Sequence, residues 1–202
     1  MPSSILTSVP NTGRLTLILG GVRSGKSACA EQLAHLSGLP VAFVATAQPL
    51  DEEMEARILA HRAARPASWR TIEAPNSVGL ALLAATEDGQ AAILDCLTLL
   101  VSNCLVALAG AGSLDDVSTA ALQSSVATEV EKILDVAMQR RLQLFVVSNE
   151  VGMGVMPASA SARHFGDVLG WANQRFARAA NEVLLMIAGI PVEIRRLERA
   201  TR

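Results

Sequence analysis

The chain has no tyrosine and only two tryptophans and four phenylalanines in 202 residues, so it has few of the aromatic side chains on which nucleic-acid bases stack. Its formal net charge is −2, and no run of Lys or Arg is interleaved with aromatics, which argues against a DNA or RNA partner. Cysteine is scarce as well. Cys29, Cys96 and Cys104 are odd in number and show no C-x-x-C spacing, so they read as small apolar residues in a reducing compartment and not as a disulfide frame or a metal site. Long apolar runs are missing too: the most apolar stretch, 91–112, is broken by Asp95, Ser102 and Asn103 and reads as a buried strand followed by a buried helix, with no membrane span. Residues 1–13 have neither a basic start nor an apolar core of secretory length and read as a loose polar tail, so a cytoplasmic protein is expected. What remains, residues 14–202 with half of the chain apolar, suits one domain that buries roughly 70% of its unfolded surface.

Against these absences stands one dense signal. Gly20, Gly21, Val22, Arg23, Ser24, Gly25, Lys26 and Ser27 follow the apolar run 15–19 and open a helical pattern at 26–35, the strand, loop and helix order of a phosphate-binding P-loop. Glycines at 20 and 25 let successive N–H groups curl around phosphate oxygens, and the helix N-terminus adds its positive end. Lys26 is then placed for the β- and γ-phosphates and Ser27 for a bridging Mg²⁺. The expected ligand is a nucleoside triphosphate.

Short apolar runs at 41–45, 69–73, 91–95, 143–148, 183–188 and 192–195 alternate for the most part with helical patterns, which predicts an α/β fold: a mostly parallel P-loop NTPase sheet of RecA-like type with helices on both faces. Gly189, Ile190 and Pro191 are too few for a crossover helix, so the last two strands are expected to form an antiparallel hairpin at the C-terminal edge. Ligands of such sheets sit at the carboxyl ends of the strands, where Thr46, Glu73, Asp95 and the pair Asn149-Glu150 fall. Asp95, closing Ala-Ala-Ile-Leu-Asp, has the form of a Walker B carboxylate that would share Mg²⁺ with Ser27. Glu73 and Glu150 suit solvated strand ends as well as functional ones.

Asp51, Glu52 and Glu53 open a helix at 51–64 that Pro66 stops. On it Glu53, Arg57, His61 and Arg65 recur every four residues and form one charged stripe. Neighbouring guanidinium groups would keep His61 neutral and nucleophilic while stabilising phosphate oxygens. The same stripe also suits an ordinary surface helix laced with ion pairs, and the pattern alone leaves both open.

Taken together, Gly20 to Ser27, residues 45–54, 57–66 with 69–71, the segment Ser148-Asn149-Glu150-Val151-Gly152-Met153-Gly154, Ala162 to Phe165 and Asn173 to Arg175 resemble the bifunctional adenosylcobinamide kinase and adenosylcobinamide-phosphate guanylyltransferase family. The likeness runs from about Leu15 to Ile194. It implies that His61 becomes covalently linked to GMP, with Lys26 as the second catalytic residue. It also implies nucleotide contacts from Gly20 to Ser27, Ala45, Thr46, Ala47, Arg62, Ala63, Ala64, Arg65, Glu73 and Asp95. The implied substrates are adenosylcobinamide, its phosphate, and GTP or ATP with Mg²⁺, and the implied assembly is a homotrimer. The sequence departs from the family's pattern at Val22, where alanine is usual, at Ala60, where some members carry a second histidine, and at Asp95, a glutamate in some relatives.

Overall fold

The computed structural model describes residues 13–49 and 51–196. The proposed tail therefore lies outside the described residues apart from Gly13. Strands β1 (Arg14–Gly20), β2 (Val41–Ala45), β3 (Arg70–Glu73), β4 (Ala91–Asp95), β5 (Gln143–Val147), β6 (Glu182–Ile187) and β7 (Ile190–Glu193) form one sheet in the order β3-β2-β4-β5-β1-β6-β7. All neighbours are parallel except β6 and β7. Strands β1, β2, β4 and β5 are nearly continuous in buried apolar residues, as strands covered on both faces must be. Strand β5 separates β1, which leads into the P-loop, from β4, which ends at Asp95.

The connecting helices are α1 (Lys26–Leu36), α2 (Glu52–Ala64), α3 (Val78–Ala85), α4 (Leu97–Ala109), α5 (Thr119–Gln139) and α6 (Ala160–Ala179). Several begin on the caps that the sequence offers: the Asp51, Ser118 and Ser159 side chains accept from the backbone N–H three residues on. The two faces are unequal. Helices α3 to α6 pack together on one, around Leu82, Leu100, Val130, Leu169 and Phe176. Helix α1 covers the other, where Ala30 and Ala34 meet Ile18, Phe43, Ile93 and Phe145.

The C-terminal hairpin is present, two residues earlier than its apolar run suggests. Ala188 and Gly189 make the turn with φ of 51° and 82°, the pair of left-handed conformations of a two-residue type I′ connection. Ile190 and Pro191 thus belong to β7, where an edge position tolerates proline's missing N–H, and Ile194 and Arg195 have left the strand for a helical turn. The turn also supports the P-loop, because Gly189 N–H donates to the Ser24 carbonyl at 3.0 Å.

Candidate functional site

The P-loop leaves β1 through Gly20, whose φ of +152° and close approach to the Met186 carbonyl leave no room for a side chain: a Cβ there would stand 2.7 Å from that oxygen. Gly25, at φ +94°, gives the left-handed entry into α1 and sits against Gly189. Lys26 is buried, and its ammonium donates to the Gly21 carbonyl at 2.6 Å. Burial lowers its pKa from the ordinary lysine range, with the charge of Asp95 among the influences that oppose the shift. Ser24 Oγ is buried without a hydrogen-bond partner in the chain.

A cleft of about 380 Å³ opens at the carboxyl ends of the strands. It brings together Val22, Arg23, Lys26 and Ser27 of the P-loop, Ala45 and Ala47 after β2, His61 and Arg65 of α2, and Asp95 of β4. Met54, Ile58, Leu99 and Val147 supply apolar walls. Residues more than sixty positions apart thus meet around one space large enough for the phosphates of a nucleotide.

Asp95 is the electrostatic centre of the cleft. Desolvation raises its pKa above the usual carboxylate range, while a hydrogen bond from Ser27 and the charges of His61, Arg65 and Lys26 work to lower it. The Ser27 hydroxyl and the Asp95 carboxylate are two hard oxygen donors already in contact. Among the described residues no group of three or more His, Cys, Asp or Glu could hold a metal. That donor set fits Mg²⁺, which binds through one or two protein oxygens together with substrate phosphates. Cys96, the next residue, has its thiol pushed up to about 11 by burial and stays protonated near neutrality.

His61 is exposed at the mouth of the cleft on the last turn of α2. Its surroundings hold more than the guanidinium groups invoked from the stripe: Asp95 and Glu31 of α1 both lie within its electrostatic reach, as Arg65 does within theirs. The side chains of Glu53 and Arg57, the rest of that stripe, and of Ala64 lie outside the described residues. The Arg65 guanidinium stacks over the Phe43 ring at 3.5 Å, and its Nε is buried without a partner. Burial lowers its pKa, and Asp95 and Glu31 hold it charged.

Other expected contacts fall outside the cleft. Thr46 is fully buried, and its hydroxyl exchanges 2.8 Å hydrogen bonds with the Cys96 carbonyl and N–H, so it braces the β2 and β4 ends. Arg62 and Glu73 pair at 3.3 Å on the surface, with Ala63 exposed beside them. The backbone of Gly20 is engaged by Glu150 N–H at 3.2 Å.

Two residues at the site, Glu31 and Thr98, escape a reading by pattern, whereas Asn149 was marked by its strand-end position. Glu31 sits one turn beyond Ser27 on α1, where spacing from the P-loop serine is the only sequence signal. Thr98 and Asn149 line the cleft and are joined by a hydrogen bond from Asn149 N–H to Thr98 Oγ1 at 2.8 Å. Behind them the Asn173 amide donates to the Asn149 carbonyl and accepts from the Ser148 hydroxyl.

Residues 16–194 match the family model described as cobinamide kinase / cobinamide phosphate guanyltransferase. The chain is 40% identical over 182 residues to the bifunctional adenosylcobalamin biosynthesis protein CobU of Salmonella typhimurium, covering 90% of this chain and 99% of that one. It is 40% identical over 179 residues to the bifunctional adenosylcobalamin biosynthesis protein CobP of Pseudomonas aeruginosa, covering 89% and 96%. A crystal structure of the RadB recombinase aligns with a TM-score of 0.49 at 16% identity, over 86% of this chain and 74% of that one.

Proposed function

Because the chain belongs to the cobinamide kinase / cobinamide phosphate guanyltransferase family, we infer that the cleft between the P-loop, α2 and β4 serves both reactions on adenosylcobinamide. The observation that carries this reading is the presence of His61 and the P-loop lysine on the walls of one cavity.

In the kinase reaction the aminopropanol hydroxyl of adenosylcobinamide attacks the γ-phosphorus of ATP or GTP, losing its proton as the nucleoside diphosphate leaves. Lys26 exchanges its Gly21 carbonyl for β- and γ-phosphate oxygens, and the P-loop N–H groups hold the chain of phosphates in line. Ser27 and Asp95 would hold Mg²⁺, which when bound neutralises charge on the transferred and leaving oxygens.

In the guanylyltransferase reaction an unprotonated nitrogen of His61 attacks the α-phosphorus of GTP and pyrophosphate departs with the bonding electrons. The product is a phosphoramidate on the protein. A phosphate oxygen of adenosylcobinamide phosphate then attacks the same phosphorus, the N–P bond breaks, and His61 is regenerated as adenosylcobinamide-GDP leaves. Arg65, held on Phe43 with Nε unpaired, stabilises the charge that develops on the α-phosphate. The reading extends to a cytoplasmic homotrimer, whose solution mass light scattering would report.

The test uses α-³²P-GTP and Mg²⁺ with the purified protein, followed by denaturation. Label that survives base, is released by acid and is absent from His61→Ala is expected. A folded, GTP-binding protein that never takes up label would remove covalent catalysis and leave a kinase alone.

A further inference from the structure

The nucleotide cleft has room for phosphates within about 380 Å³, and a macrocycle bound at the same time would extend beyond it. Adjacent to the cleft lies a second hollow of about 680 Å³ between the segment 151–157, the start of α5 and the first turns of α6. We propose that this groove is the corrinoid seat: the Val151 to Met156 loop lies against one edge of the corrin ring and leaves the aminopropanol arm to enter the nucleotide cleft. The proposal rests on the reading of function given above.

Three observations carry it. The loop is apolar where solvent would ordinarily select polar groups: Val155 is 95% exposed, Met153 80% and Met156 77%, with Val151 beside them. Large apolar side chains exposed together on one loop are the kind of surface that a binding site presents. The loop is also held at both ends, so its side chains are presented and not loose. At its start Glu150 N–H donates to the Gly20 carbonyl at 3.2 Å and Gly152 N–H to the Glu150 carboxylate at 2.8 Å. At its end the Arg163 guanidinium grips the Pro157 and Ala158 carbonyls at 3.1 and 2.6 Å. Finally the groove begins close to the cleft. Asn149 lines the cleft and Val151 lines the groove, and two residues span at most about 7 Å.

The chemistry of the lining selects the occupant. A corrin is large and flat, rimmed with methyl and carboxamide groups, and cationic at its alkylcobalt centre. Its methyl rim matches Val151, Val155 and Met156, and its carboxamides match Thr119 and the loop backbone. The basic groups of the groove are turned inward, Arg163 onto the loop carbonyls and His164 Nδ1 onto the Val117 carbonyl at 2.9 Å, while Asp167 is exposed on the wall. That balance suits a cation and disfavours a second anion.

Val155→Glu and Met156→Glu test the seat, since neither side chain is buried in the fold. Equilibrium dialysis with adenosylcobinamide reads affinity without turnover, and initial rates give KM and kcat for its phosphorylation. Each variant is expected to raise Kd and KM by about tenfold or more, with kcat at saturation and GTP self-labelling as in the parent chain. Met156→Leu should restore parent values. Unchanged Kd in both charged variants would overturn the seat. So would variants that lose the parent's oligomeric mass yet bind adenosylcobinamide normally, because the patch would then be covered by a second copy of the chain. A parent chain that binds adenosylcobinamide, loses that binding in the variants, and never self-labels would refute the guanylyl transfer and leave the seat standing.

Discussion

At the scale of single residues, the cleft holds charges where the fold alone would not place them. Asp95 ends a strand whose preceding residues are fully buried, and desolvation raises its pKa despite Ser27, His61, Arg65 and Lys26 nearby. A carboxyl raised in this way favours the folded state below the ordinary carboxylate pKa and loses that contribution as pH rises through its folded value. Ionised, Asp95 is therefore a cost to stability, and carboxyls perturbed in this way cluster at functional sites. Asp95→Asn keeps an oxygen that can accept from Ser27 and removes the buried charge. Its Tm is expected to exceed the parent's at pH 7 to 8, with the gap closing as pH falls toward about 4, where both side chains are neutral. Thermal melts across that range would decide the point; a Tm below the parent's at pH 8 would show that the surrounding cations outweigh desolvation. Phosphorylation of adenosylcobinamide by Asp95→Asn should fall by about 10²-fold, the size of effect expected when charge stabilisation is lost at a reacting centre.

At the scale of elements, close packing of helices limits what the covering layer tolerates. A Cβ on Gly79 of α3 would stand 2.8 Å from Lys132 Cβ and 3.0 Å from its carbonyl carbon on α5, neither of which can swing aside. Overpacking costs about 1–3 kcal/mol, and alanine returns about 1 kcal/mol of helix propensity, so Gly79→Ala should destabilise by about 1 kcal/mol. Gly170→Ala, in α6 with open space around it, should stabilise by up to about 1 kcal/mol. Urea unfolding of the two variants would show opposite signs. The elements themselves were largely legible in the sequence, because doubly covered parallel strands must be runs of apolar residues and little else reads that way. Strand β7 was displaced because Pro191 resembles a turn, whereas the turn is made by Ala188 and Gly189 and the edge position accepts proline. The P-loop and Asp95 were legible as local signals. The bracing bonds of the Thr46 hydroxyl were not, since a strand-end position says nothing of a partner such as Cys96 fifty residues away. Glu31 and the Thr98, Asn149 and Asn173 network likewise arise only when separate crossovers converge.

At the scale of the whole molecule, the cleft draws on the P-loop, α2 and the ends of β2, β4 and β5, so a nucleotide bound there ties together elements that the sheet joins only along its strands. Binding to the folded state alone stabilises by about 2.7 kcal/mol at a free concentration of 100 times Kd. For a folded unit of this length, each kcal/mol moves Tm by about 2–4 °C, so saturating GTP and Mg²⁺ should raise Tm by about 5–10 °C. His61 is exposed at the mouth of the cleft and, in the proposed mechanism, acts after the nucleotide is seated, so His61→Ala should keep most of that shift while losing covalent label. Lys26 is buried at the P-loop end of the cleft, and Lys26→Ala should lose most of the shift. The unliganded Tm of Lys26→Ala should stay close to the parent's, because the side chain removed is a desolvated cation bonded to one carbonyl. Differential scanning fluorimetry with and without nucleotide separates the two roles. If both variants lost the shift equally, His61 would be part of the nucleotide's ground-state grip, and its role as a nucleophile would have to rest on the covalent label alone.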